Sequence, residues 1–130
     1  MPHELTILVW SVALTLAQLV VAILAGIAQV GLPILAGNRE EVPAFTGLAG
    51  RAHRAHRNML ESLILFAALA LAAVAAGRAN AMTALGADLF LGGRAAYALI
   101  YLAGIPWLRT GAWGVAMAGL VLMLCQLVQG

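Results

Sequence analysis

The chain has 130 residues, of which 64% are hydrophobic and 9% charged, with a formal net charge of +2. A mean hydropathy of +1.00 excludes an ordinary soluble domain, in which about a quarter of residues are charged. The length holds four membrane helices with short loops and no aqueous domain, and without a soluble basic face nucleic acid is not expected as a partner.

The first hydrophobic segment runs from about Leu5 to Val30, with Thr6, Ser11, Thr15, Gln18 and Gln29 as its only polar members, none charged. It is too long for the core of a cleavable signal peptide, and no basic stretch or small-residue cleavage site accompanies it. At about 1.5 Å per residue it crosses a hydrocarbon layer of roughly 30 Å. Ala22 and Gly26 form a small-xxx-small pair that admits a close helix neighbour. Pro33, Gly37, Asn38 and Pro43 then break the pattern, and Arg39-Glu40-Glu41 places this loop in water.

The second segment runs from about Arg51 to Gly77. Its first part, Arg51-Ala-His53-Arg54-Ala-His56-Arg57-Asn58-Met-Leu-Glu61-Ser62, holds four of the chain's twelve charged residues. Leu63–Ala76 follows and is wholly apolar. Charge entering a hydrophobic helix is costly and tends to mark function. A short turn at Arg78-Ala-Asn80 leads to the third segment, about Ala81 to Gly104. Gly104-Ile-Pro106-Trp107 breaks the chain again, and the fourth segment runs from about Thr110 to Val128, with Gly111, Gly114 and Ala118 as a second small-residue face. The expectation is one all-α domain spanning residues 1–130, a four-helix membrane bundle. Arg39, Arg51, Arg54, Arg57 and Arg109 flank the first and third connections, against Arg78 alone on the other side. The positive-inside rule then puts both of those connections in the cytoplasm and both termini outside.

At about 100° per residue, Arg51, Arg54, Arg57, Asn58 and Glu61 share an arc of about 120°. On the third segment Arg94, Tyr97 and Tyr101 share about 60°. Measured from the cytoplasmic ends, Glu61 and Arg94 both lie about 15 Å deep, Asn58 and Tyr97 about 10 Å, and Arg54 and Tyr101 about 5 Å. Such matching implies a polar cavity between two antiparallel helices, with Glu61 and Arg94 as a buried ion pair. The same ion pair serves equally well as a structural tie between helices. Arg51, Trp107 and Trp113 read as interfacial anchors. His53 and His56 lack a third ligand, so no metal site is expected. Cys125 reads as a small hydrophobe. Arg109 lies at the start of the last helix, where an anion is favoured, and Thr110 has the chemistry of a helix cap.

The pattern Arg54-x-x-Arg57-Asn58-x-x-Glu61, with Arg94-x-x-Tyr97-x-x-x-Tyr101 and Pro106-x-x-Arg109-Thr110, resembles the MAPEG proteins (membrane-associated proteins in eicosanoid and glutathione metabolism), in a bacterial-type form. The resemblance implies a homotrimer of four-helix bundles in the inner or plasma membrane, with glutathione bound between neighbouring subunits as co-substrate. It assigns glutathione contacts to Arg54, Arg57, Asn58, Glu61, Arg94, Tyr97 and Tyr101, thiolate stabilisation to Arg109, and a hydroxyl beside the thiolate to Thr110. The implied activity is transfer of glutathione to lipophilic electrophiles, or reduction of lipid hydroperoxides, with lipids or lipophilic small molecules as partners. Members of the family often carry an Arg at the end of the first helix, where this chain has Gln29-Val30-Gly31. A Pro common three residues after the motif Glu is replaced by Ile64. Two other readings differ in class: a non-enzymatic lipid-binding or scaffold protein, and a minute transporter built on Glu61. The Arg residues around Glu61 hold its carboxylate ionised and so oppose the transporter.

Overall fold

The computed structural model describes residues 1–129. It contains helices α1 (His3–Val30), α2 (Leu32–Ala36), α3 (Gly47–Ala75), α4 (Ala81–Ala103) and α5 (Pro106–Gln129), and no strand among the described residues. The four long ones are long and apolar enough to cross a membrane. They run alternately up and down. The start of α1, the end of α5 and the α3–α4 turn lie at one end, and the α1–α3 and α4–α5 connections at the other, Arg-rich end.

Burial on α1 follows a three-four spacing: Glu4, Ile7, Ser11, Thr15, Gln18, Ala22 and Gly26. Its polar side chains Glu4, Ser11, Thr15 and Gln18 face inward while Val9, Trp10, Val12, Leu16 and Leu24 are exposed. That inversion suits a lipid exterior, where tails are as apolar as leucine and polar groups must find partners inside. Ser11 and Thr15 donate to the carbonyls of Ile7 and Ser11, each at 2.8 Å. On α3 the buried stripe is Ala52, Ala55, Met59, Ser62, Phe66, Ala70 and Ala73. Phe66 stacks on Phe90 of α4 at 4.3 Å, and Met59, Ala87, Ala116 and Met123 complete the core around them.

The small residues divide differently from expectation. Gly26 lies close to His53, Phe45 and Leu35, so the Ala22–Gly26 pair does admit a close neighbour. Gly111 and Gly114 face nothing within 4 Å, and Ala118 is exposed. The tight face of α5 is instead Ala112, Ala116 and Gly119, against Gly86 and Gly93 of α4. A Cβ on Gly93 would sit 2.7 Å from the Ala116 nitrogen, so the two backbones touch only because Gly is there.

The ends are fixed by local polar contacts. Asn80 caps α4, accepting from the amides of Met82 and Thr83 at 2.8 and 2.9 Å, while the Thr83 hydroxyl accepts from the Asn80 amide. Thr83 also lies 2.8 Å from a carboxylate oxygen of the buried Glu4, and His3 pairs with Asp88 at 2.7 Å. Gln29 at the end of α1 holds the following loop, donating to Ala44 O at 3.2 Å and accepting from Thr46 N at 3.0 Å. The Pro33 break contains the single turn α2, since Pro is well placed at a helix start. Helix α3 begins a turn before Arg51. Gly104, at φ +79°, closes α4 in the left-handed region and Pro106 begins α5, a turn before Thr110.

Candidate functional site

Helices α3 and α4 bring Arg54, Arg57, Asn58, Glu61, Tyr97 and Tyr101 around one cleft of about 200 Å³ near the Arg-rich end. Tyr97 and Tyr101 are one turn apart on α4, both buried, with ring centroids 5.5 Å apart and edge-on. Arg54 donates Nε–H to the Tyr101 hydroxyl at 2.9 Å, the pairing expected from equal depth. Arg109, in the first turn of α5, stacks over the Tyr101 ring at 4.4 Å. Tyr101 is thus the hub on which one Arg from α3 and one from α5 converge.

Arg94 lies behind this cleft and does not line it. It is fully buried, gives Nη1–H to Asn58 Oδ1 at 2.7 Å and Nε–H to Met59 Sδ at 3.3 Å, and packs 4.2 Å above the Tyr97 ring. Its Nη2 has no partner. The expected Glu61–Arg94 ion pair is absent. The reason is the face on which α3 packs. Relative to the centre of its buried stripe Asn58 lies about 80° round and Glu61 about 140°, at 100° per residue. Asn58 therefore reaches α4, whereas Glu61 is exposed, as are Arg54 and Arg57.

Two other expectations change. Arg51 is half-buried, and donates Nε–H to Leu102 O at 3.2 Å, tying α3 to the last turn of α4 where a cation is favoured. It thereby also ties the two helices together. Thr110 does not cap α5. It lies one turn inside the helix, exposed, and donates to Pro106 O at 3.2 Å. Trp107 and Trp113 are exposed, as membrane-interface anchors would be. Met59 escaped the sequence reading, although its place in the three-four spacing of Ala52, Ala55, Ser62 and Phe66 marks it as inward. Gly50 escaped it too: a Cβ there would stand 2.9 Å from Phe45 O and 3.0 Å from Arg54 Nη1, so this Gly admits the backbone of the preceding loop beside the guanidinium.

The charge balance is one-sided. Arg54, Arg57, Arg94 and Arg109 supply four guanidiniums around the cleft and Glu61 one carboxylate, a surplus of three positive charges. Among the described residues no Arg pairs with a carboxylate, and the one His–carboxylate contact, His3–Asp88, lies at the opposite end. Such a surplus among apolar helices suits an anion that the chain does not itself provide.

The model of the MAPEG family matches residues 7–129 and so runs through all four long helices. The chain belongs to the MAPEG family. It is accordingly an integral membrane protein of the four-helix type associated with glutathione and eicosanoid metabolism. No curated protein and no solved structure matches it. Within this MAPEG bundle, the cleft beside Tyr101 is where the motif residues of α3 and α4 meet, with Arg109 arriving from α5.

Proposed function

We propose that this MAPEG protein binds glutathione in the Arg54–Tyr101 cleft and directs its thiolate at lipophilic electrophiles or hydroperoxides. The observation that carries this reading is the unbalanced cluster of guanidiniums. Glutathione offers two carboxylates, one ammonium and one thiol. Arg54 and Arg57 suit the carboxylates, since guanidinium matches carboxylate geometry bidentately. Glu61 suits the ammonium. Arg94 acts from behind, by holding Asn58 in place.

Arg109 would lower the pKa of the bound thiol from about 8.5, favouring the thiolate near neutral pH. In conjugation the sulfur bonds to an electrophilic carbon, and the leaving group departs with the electron pair. In peroxide reduction the sulfur takes the terminal oxygen, the O–O bond breaks, and the alcohol leaves with a proton. A second glutathione then converts the sulfenic acid to disulfide and water.

Exposure of Arg54, Arg57 and Glu61 in the single chain supports assembly as a homotrimer, because these charges need shelter from lipid that a neighbouring subunit would give. The open small-residue face at Gly111, Gly114 and Ala118 suits such a contact. The Arg-rich end faces the cytoplasm of the plasma or inner membrane in this reading, with both termini outside. The deciding experiment measures glutathione binding calorimetrically on purified protein, then turnover with glutathione and chlorodinitrobenzene. Binding that disappears in Arg54→Ala and weakens in Glu61→Gln supports the site. Binding indifferent to both removes the site assignment, and no binding removes the function.

One observation favours a non-enzymatic lipid-binding protein instead. The last turn of α1 has no basic residue, and Gln29 there spends its amide on Ala44 and Thr46. That reading predicts lipid co-purifying with the protein and no thiol-dependent turnover.

A further inference from the structure

Met59 follows Asn58 on α3, and its side chain is fully buried in the core with Phe66, Phe90 and Met123. Its sulfur faces Arg94 of α4 and accepts Nε–H at 3.3 Å. Two consecutive α3 residues thus hold one guanidinium by two of its donors, Met59 at Nε and Asn58 at Nη1. The Tyr97 ring is the third support, 4.2 Å from Arg94 Cζ.

A guanidinium is a rigid planar fork that only donates, so holding Nε fixes the direction in which Nη1 points. The same one-way chemistry settles the Asn58 amide. Its oxygen must be the atom that meets Nη1, because an NH2 there would set donor against donor. Nδ2 is then the donor that Asn58 has left for the cleft it lines. Neither Met nor Asn carries charge, so Arg94 is held without being neutralised. A carboxylate at position 59 would bind it more strongly and cancel its part in the positive surplus.

We propose that Met59 is a positioning residue for the anion site. Its sulfur fixes Arg94, Arg94 fixes the Asn58 amide, and Asn58 turns Nδ2–H toward a carboxylate oxygen of the ligand. Met59 is wholly enclosed and touches no ligand itself. The last link of this relay rests on the glutathione reading of the cleft, whereas the first two do not.

The test compares Met59→Leu with Met123→Leu in the full-length protein in detergent. Both swaps nearly conserve volume and should disturb stability little. Met123 is equally buried in the same core and makes no hydrogen bond, so it reports packing alone. Met59→Leu should raise KM for glutathione roughly threefold at unchanged kcat, and Met123→Leu should leave both in place. Added to Asn58→Ala, Met59→Leu should raise KM no further, since the two act through one group. A reading without glutathione comes from the side-chain amide resonances of the three asparagines, labelled with 15N. The Asn58 pair should shift in Met59→Leu and stay in Met123→Leu. An Asn58 amide unmoved by Met59→Leu overturns the proposal whether or not glutathione binds. So does a KM equal to the parent's, an equal rise in Met123→Leu, or a rise that adds to that of Asn58→Ala. A parent that binds no glutathione, with the Asn58 amide still shifted, removes the glutathione reading and upholds the Met59–Arg94–Asn58 relay.

Discussion

Arg94 is held by Asn58: a fully buried guanidinium on α4 gives a 2.7 Å hydrogen bond to an uncharged amide on α3, with no carboxylate beside it. Removing the acceptor therefore leaves a buried cation still less satisfied. Asn58→Leu is expected to cost about 2–3 kcal/mol, the range for breaking a buried bond to a charged group. Glu61→Gln, on an exposed face, should stay within about 0.5 kcal/mol. Denaturation of both variants in detergent checks the contrast. Equal losses would mean that Glu61 supports Arg94 as much as Asn58 does.

Tyr101→Phe keeps the ring on which Arg109 stacks and removes only the hydroxyl that accepts from Arg54. Arg54 then loses its fixed position. Glutathione affinity should fall roughly three- to tenfold, equivalent to one hydrogen bond of about 1 kcal/mol. Turnover at saturating glutathione should be nearly unchanged, because Arg109 keeps its support. Steady-state kinetics separate the two, with KM rising and kcat holding. A fall in kcat alone would place Tyr101 at the thiol instead of at Arg54.

The four long helices were legible because hydrophobic length and the Gly/Pro breaks at residues 31–43 and 104–106 are local signals. The Arg54–Tyr101 pairing was legible because both residues lie three positions, just under one turn, from the end of the sequence-predicted helix. Glu61–Arg94 was misread for a reason that depth alone does not reveal. The polar arc of α3 reads as the inward face, whereas the stripe of Ala52, Ala55, Met59 and Ser62 is what packs. In a membrane protein both faces of a helix are apolar, so hydrophobicity alone does not say which is inside, and residue size is the better guide. The closing of α5 on α4 shows the same limit, since Gly111, Gly114 and Gly119 look alike in sequence and only Gly119 meets another backbone.

Arg109→Ala should act on the chemical step. Without the guanidinium beside the bound thiol, the thiol pKa returns toward about 8.5 and less thiolate exists at neutral pH. Turnover near pH 7 should fall on the order of tenfold or more and recover partly as pH rises. Glutathione binding should change less than rate. Thr110→Val offers a comparison, because its hydroxyl proton is engaged with Pro106 O and its loss should leave the pH profile in place. A pH-rate profile unmoved by Arg109→Ala would remove the residue from thiolate stabilisation.

The α4–α5 contact gives the sharpest stability prediction. A Cβ at Gly93 would meet Ala112 O at 2.9 Å as well as the Ala116 nitrogen, and neither backbone atom can move without shifting α5. Gly93→Ala should therefore cost about 1–3 kcal/mol through overpacking, despite the gain in helix propensity. Gly111→Ala and Gly114→Ala meet nothing within the chain and should be neutral or stabilising in an isolated subunit. In the proposed trimer those two positions acquire a neighbour. Melting curves at high and low protein concentration in detergent distinguish these cases: Gly93→Ala should lower the transition at both, while a Gly114→Ala loss confined to high concentration would locate the subunit contact on that face of α5. A Gly93→Ala protein as stable as the parent would show that α4 and α5 are not held at backbone contact.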